Sequence, residues 1–190
     1  MSIVLASQSP RRQELLARIG VEDFKTLSLD IDESYPEGLS PEDTVRYIAK
    51  KKCDAAAALC APDDLIITAD TMVFLDNDRL GKPRDEEDAL RMLRALSGRG
   101  HTVCTGVSVR RGAQEERFAV STRVFFRPMT DDEIRAYIKT GEPMDKAGAY
   151  GVQSRGALFV ERIDGDFFNV MGLPVEQLGL VLARFGVKLL

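Results

Sequence analysis

The chain has 190 residues, 44% hydrophobic and 29% charged, with a formal net charge of −4, the balance of a globular protein long enough to bury a substantial core. The acidic excess argues against the broad basic surface of non-specific nucleic-acid binding, so positive charge has to be concentrated in a small pocket. No apolar run approaches the ~20 residues that span a bilayer, and the short N-terminal apolar stretch precedes its arginines, unlike a signal peptide.

In chain order, the apolar run Ile3-Val4-Leu5-Ala6 stops at Ser7-Gln8-Ser9, and a helical pattern opens behind Pro10 with Arg11 and Arg12. Ser9 suits the N-cap and Pro10 the first helical position, and Leu15, Leu16 and Ile19 recur at helical spacing up to Gly20. A strand–loop–helix of this form points free N–H groups and the positive helix end into its loop. Residues 24–29 read as a second strand running into the acidic turn Asp30-Ile31-Asp32-Glu33, and Ser40 caps a long helix through residue 59. Leu65-Ile66-Ile67-Thr68-Ala69-Asp70 is a continuous apolar strand ending on an acid; the apolar pattern resumes to Leu75, and Asp76-Asn77-Asp78 marks a turn.

A helix is predicted over residues 85–96, then two strands over 102–110 and 115–126 joined as a hairpin near Gly112. Thr130-Asp131-Asp132-Glu133 reads as a capping box. Residues 141–156 are rich in glycine and polar side chains and long for a plain connector, the mark of a functional loop. A strand over 158–163 and a helix from Pro174 toward Phe185 close the chain. Helices interspersed with strands indicate a mixed α/β sheet. No composition break marks a linker, so two lobes sharing one chain, with a cleft between them, are expected.

Of the three cysteines, Cys53 and Cys60 stand seven apart on one predicted helical face, and Cys104 lies in a strand. Without metal-ligand spacing they read as buried inert thiols, which suits a reducing cytoplasm. His101 is the single histidine, so a His-rich zinc site is excluded and a structural role is favoured for it. Chemistry then falls to carboxylates, lysines, arginines and a divalent metal. Ser7, Ser9, Arg11 and Arg12 make a candidate phosphate cradle, because guanidinium groups grip phosphate oxygens bidentately. Asp70 at a strand end is where open α/β sheets place ligand-contacting acids, and Thr71 offers a hydroxyl beside it. Asp32 and Glu33 could add a second carboxylate for Mg²⁺. One of Lys50, Lys51 and Lys52 could turn inward, and Lys82 stands between Gly81 and Pro83. Each of these also has a plainer reading: a capped surface helix, a solvated acidic turn, a solvated lysine face.

Leu5-Ala6-Ser7-Gln8-Ser9-Pro10-Arg11-Arg12, Ala69-Asp70-Thr71, Gly81-Lys82-Pro83, Gly100-His101-Thr102-Val103-Cys104-Thr105-Gly106, Gly141-Glu142-Pro143, Asp145-Lys146-Ala147-Gly148-Ala149-Tyr150-Gly151-Val152-Gln153 and Asn169-Val170-Met171-Gly172-Leu173-Pro174 follow one another along the chain. In this order they resemble the Maf family nearly end to end. The resemblance implies an elongated mixed β-sheet with flanking helices, akin to inosine triphosphate pyrophosphatases, with two lobes around a nucleotide cleft in a single domain over residues 1–190. It implies a cytoplasmic nucleoside triphosphate pyrophosphatase of the dTTP/UTP branch, with a small-molecule nucleoside triphosphate as partner, neither nucleic acid nor membrane, and a homodimer left open. Family members are associated with house-cleaning of the nucleotide pool and, by name, with septum formation.

By the same resemblance Asp70 is the proton acceptor, and Glu33 and Asp70 hold a divalent cation, Mg²⁺ or Mn²⁺. Ser7, Ser9, Arg11, Arg12, Lys52 and Lys82 hold the phosphates, and Thr71 and Gln153, with Arg12, mark the pyrimidine branch. The Gln153 amide can donate to O4 and accept from N3–H of uracil or thymine. The chain departs from the family's commonest wording at Cys53, Cys104 and Ser154. A non-enzymatic regulator of septation and a broader inosine/xanthosine triphosphate pyrophosphatase are the alternatives.

Overall fold

A computed structural model describes residues 2–76 and 78–190. Its elements are β1 (Ile3–Leu5), α1 (Pro10–Arg18), β2 (Phe24–Thr26), α2 (Pro41–Ala57), β3 (Leu65–Leu75), β4 (Asp78–Leu80) and α3 (Glu86–Leu96). There follow β5 (Gly100–Arg111), β6 (Gln114–Phe126), α4 (Asp131–Ile138), β7 (Val160–Asp164), α5 (Phe167–Met171) and α6 (Val175–Arg184). The strands form a seven-stranded sheet in the order β2-β1-β3-β5-β6-β7, with β4 paired to β3. β1 runs parallel to β2 and β3, Ile3 facing Phe24 and Leu65. The β3–β4 and β6–β7 pairs are antiparallel. Parallel neighbours need a crossover connection, and α1 supplies it between β1 and β2. The sheet is the mixed α/β type that the pattern of elements predicts.

The chain packs as two compact units, neither of them continuous in sequence. The first comprises the chain up to Asp70, Thr105–Val120 and Gly172–Leu190; the second comprises Thr71–Cys104 and Ser121–Met171. In the first, Leu5, Leu15, Leu16, Val45, Ile48, Leu65 and Ile67 are fully buried, which explains why β1 and the start of β3 read as unbroken apolar runs. Gly106 on β5 lets α2 come close: a Cβ there would stand 2.3 Å from the Val45 carbonyl carbon. In the second unit, Leu93, Leu96, Phe126, Ile134 and Phe159 make the core, and His101 lies among them.

Several boundaries differ from the sequence reading. Asp70 lies in the middle of an 11-residue strand rather than at its end, because the apolar pattern on either side is one strand continuing through the acid. β2 stops at Thr26, so Glu33 follows an irregular segment, not a strand. Leu27 and Leu29 are apolar because they cover the cluster of Ala6, Cys53, Ala56 and Ile66. Cys60 lies past the end of α2, off the helical face it was expected to share, yet packs on that same cluster. The expected turn at residues 76–78 falls between β3 and β4, with Asn77 outside the described residues. β4 and the five-residue α5 escape the reading because neither is long enough to show a period. Among the described residues no helix is long and apolar enough to cross a membrane.

Candidate functional site

The first unit gathers most of the expected site. α1 begins behind Ser9, whose side chain caps none of the first-turn N–H groups, and those groups have no intrahelical partner. They remain available to an anion, where the helix dipole favours negative charge. The Ser9 amide donates to Ser7 Oγ at 3.2 Å, which fixes the loop. Arg11 is half-buried, and its guanidinium has no hydrogen bond or ion pair among the described residues.

Arg12 behaves differently. Its Nε donates to the Gly172 carbonyl at 2.8 Å, and its Nη1 to the Ala69 carbonyl at 2.9 Å and Ser7 Oγ at 3.3 Å. Expected as part of the phosphate grip, Arg12 also ties together the β1–α1 loop, the middle of β3 and the segment before α6. Burial pulls its basicity down, against the opposing pull of Asp70. Sequence spacing carries no signal for this, because the acceptors are backbone carbonyls remote along the chain.

Of the lysine run, only Lys52 turns inward. Lys50 pairs with Asp54 and Lys51 with Asp32, both on the surface. Lys52 Nζ lies 2.7 Å from Asp70 Oδ1 and 2.9 Å from Glu33 Oε1, its side chain 14% exposed. Asp70 is 7% exposed, and its Oδ2 is buried without a hydrogen-bond partner. A buried carboxylate oxygen left unbonded is costly, so its presence points to a ligand, a water or an ion. Glu33 is held in place from either side. The Asp32 carboxylate accepts from the Ser34 amide at 3.0 Å, from Ser34 Oγ and from Lys51. Those bonds, from Ser34 first, hold Asp32 down to about 2.

No cluster of three or more His, Cys, Asp or Glu suited to a metal occurs among the described residues. Mg²⁺ does not need one: it takes one or two carboxylates, keeps several waters and binds phosphate oxygens. Glu33 and the free Oδ2 of Asp70 fit that donor set.

The second unit carries the remaining candidates. Thr71 follows Asp70 on β3 and is half-buried. Lys82 is exposed before Pro83, its ammonium without a partner among the described residues. The 141–156 loop is not coil: it folds into short 3-10 turns over Glu142–Asp145 and Ala147–Ala149, and a third, Arg155–Phe159, follows. Gly148 has φ 71°, and a Cβ there would meet Val73 Cγ2 at 2.9 Å, so only glycine fits.

Gln153 sits exposed in this loop with its amide free among the described residues, while the bracing falls to others. Lys146 Nζ donates to the Glu142 carbonyl at 2.7 Å and pairs with Asp145. Glu142 accepts from Tyr137 Oη at 2.8 Å, the Gly156 amide at 3.2 Å and the Arg155 amide at 3.3 Å. His101 is buried as expected, its Nε2 2.8 Å from Tyr150 Oη and its ring edge-on to Phe126 and Tyr150. Burial pushes it down to about 4. Cys53 and Cys104 are fully buried, and burial pushes the Cys53 thiol up, so both are inert.

Fold comparison gives the class first. A HAM1 protein from Coxiella burnetii shares the fold with a TM-score of 0.56 at 14% identity, over 97% of this chain and 99% of that one. Sequence then gives the family. The Maf-like protein family matches residues 2–185, and the chain belongs to the Maf family. It is 47% identical over 186 residues to a dTTP/UTP pyrophosphatase of Bacillus velezensis, covering 98% of this chain and 97% of that protein. A dTTP/UTP pyrophosphatase of Pelotomaculum thermopropionicum is 46% identical over 190 residues, 99% of this chain and 98% of that protein.

Proposed function

We propose that this chain is a nucleoside triphosphate pyrophosphatase that hydrolyses dTTP and UTP to the monophosphate and pyrophosphate. The relatives so named support the substrate, and the observation that carries the chemistry is the buried, unbonded Oδ2 of Asp70 beside Lys52. In the reaction water attacks the α-phosphorus, the bond to the α–β bridging oxygen breaks, and pyrophosphate leaves with that oxygen. Such transfers depend mostly on positioning and charge neutralisation.

Asp70 is the acceptor for the water's proton; with Oδ1 committed to Lys52, its Oδ2 faces the attacking water, and where a cation is bound this oxygen orients the water held between the two. Lys52 pairs with both Asp70 and Glu33 and offsets one of their two negative charges. Arg11 and the open first turn of α1 take phosphate oxygens, with Ser7 and Ser9 shaping the loop and Arg12 holding it to Ala69. Lys82 adds positive charge, and Thr71 and Gln153 select the base. A divalent cation, Mg²⁺ or Mn²⁺, would be held by Glu33 and Asp70 and would supply charge neutralisation at the phosphates.

Product analysis tests the proposal. dTTP and UTP should yield the monophosphate and pyrophosphate, and excess EDTA should abolish turnover. Release of orthophosphate would overturn the reaction, and full activity in EDTA would overturn the metal.

A further inference from the structure

The loop that bears Gln153 is pinned on both sides of it by side chains. Before Gln153, the Gly151 amide donates to Tyr137 Oη at 3.1 Å. After it, the Arg155 and Gly156 amides donate to the two carboxylate oxygens of Glu142. Tyr137 Oη in turn donates to Glu142 Oε1 at 2.8 Å, so one carboxylate closes the circuit. Buried or half-buried backbone donators outside helices and strands must find such partners; here the same carboxylate takes them. The loop closes on itself tightly: a Cβ on Gly156 would stand 2.5 Å from the Gly151 carbonyl oxygen and 2.8 Å from Tyr137 Oη.

The anchors are themselves fixed. The Tyr137 ring is buried edge-on to Phe159, centroids 5.1 Å apart. The Glu142 amide donates to Thr140 Oγ1 at 3.2 Å, and its carbonyl accepts from Lys146. Burial pushes the Glu142 carboxyl up, but bonds from Ser154, Tyr137, Gly156 and Arg155 together bring it below its ordinary value. It therefore stays ionised and accepting at any pH near neutrality.

We propose that Glu142 is a specificity-positioning residue: with Tyr137 it fixes the backbone around Gln153, so that the exposed amide presents one hydrogen-bonding edge to the pyrimidine. The proposal rests on the reading of Gln153 as the residue that selects the base. Its physical content is preorganisation. An amide on a loose loop must be ordered when the nucleotide binds, and that cost falls on the base contact alone, not on the phosphate grip. A merely structural Glu142 would support all substrates equally.

The test compares Glu142→Gln, Tyr137→Phe, Gln153→Ala and the double variant Glu142→Gln/Gln153→Ala by kcat/KM for dTTP and for a purine triphosphate. Hydrogen exchange of the 151–156 amides is followed alongside. In Glu142→Gln an NH₂ group replaces one acceptor of the loop amides. Expected are faster exchange at 151–156 and a fall of roughly 5- to 150-fold in kcat/KM for dTTP, mostly in KM. The purine triphosphate should change far less, and the double variant should be no worse on dTTP than Gln153→Ala.

Should Glu142→Gln fail to fold, Tyr137→Phe, which removes one hydroxyl from the circuit, carries the same comparison. Equal losses on both substrates, or unchanged exchange, overturn the proposal. A ratio unchanged in Gln153→Ala but changed in Glu142→Gln retires Gln153 as the reader and leaves Glu142 as the residue that sets the loop.

Discussion

The two units handle their polar side chains in opposite ways. In the first, charge is concentrated and largely committed before any substrate arrives: Lys52 bridges Glu33 and Asp70, and Arg12 is spent on the Gly172 and Ala69 carbonyls. In the second, Gln153 and Lys82 are exposed with side chains free among the described residues, on backbone fixed by Glu142, Tyr137, Lys146 and Gly148. Under the proposed function the contrast follows from what each task would need. Stabilising charge in a reaction works best from groups already held in place. Reading a neutral base edge works best from an uncommitted amide on a rigid support. Two oxygens and a guanidinium escape commitment in the first unit's set or its edge: Asp70 Oδ2, the outer oxygen of Glu33, and Arg11.

The largest effect should come from the first of these. Asp70→Asn is nearly isosteric and should lower kcat by roughly 10²–10⁴-fold if Oδ2 accepts the proton. Folding should survive, because the amide oxygen can still face Lys52. Near wild-type turnover in this variant would break the comparison at its centre, leaving the first unit as a binding surface only.

Acid should then act on the second unit, which holds His101, Asp88 and Glu133. His101 titrates at about 4 in the fold because burial disfavours its charge, against 6.5 when exposed. Between those values the unfolded chain binds a proton that the folded one refuses. The stability is therefore complete above pH 6.5 and is lost as pH falls toward 4, by about 3 kcal/mol in all. Carboxylates act lower down. Asp88, held to about 2 by Arg91 and then Arg84, and Glu133, held there by Arg127, contribute fully above their ordinary values of 3.8 and 4.5 and lose that contribution as pH falls from there toward 2. Urea midpoints of wild type and His101→Gln at pH 7 and 4.5 should differ in pH slope, the wild type being steeper. Parallel slopes would show that another group governs the window.

How far the sequence carried this picture depended on distance along the chain. Local signals were sufficient for two of the caps: Ser40 accepts from the Asp43 amide, and Thr130 with Glu133 forms the full capping box, whereas Ser9 stands at the N-cap position without a side-chain cap bond. The α1 start and the β5–β6 hairpin were legible for the same reason. The candidate residues Asp70, Lys52 and Glu33 were named from motif and resemblance, and the fold brings them within ion-pair distance. What stayed hidden were partners that are backbone atoms far away in sequence. Arg12 reads only as a phosphate ligand, and its bonds to the Gly172 and Ala69 carbonyls carry no signal in the sequence. Glu142 appears only within the motif Gly141-Glu142-Pro143, which gives no sign that its carboxylate accepts from the Arg155 and Gly156 amides of the Gln153 loop. Irregular segments were also misjudged, since Leu27 and Leu29 mimic a strand by alternation while serving only to cover Cys53.

The smallest effects, and the sharpest test of the committed-versus-free distinction, lie within a single turn of α1. Arg11 and Arg12 are adjacent in sequence and identical in charge, but Arg11 is free and Arg12 is engaged at 2.8 Å and 2.9 Å with two carbonyls. Arg11→Ala should weaken the hold on any nucleoside triphosphate, raising KM by about 10- to 150-fold, as expected for charged hydrogen bonds of about 1.5–3 kcal/mol, with Tm unchanged. Arg12→Ala should lower Tm, because two carbonyls and Ser7 Oγ lose their donor, and should depress kcat by letting Ala69 and Asp70 shift. Arg12→Lys separates charge from geometry: an ammonium lacks the fork that reaches both carbonyls, so it should rescue little. Arg11→Lys keeps a cation for phosphate and should recover most of the binding. If instead Arg12→Lys restores full activity, Arg12 acts through charge alone and its bonds to the backbone are incidental.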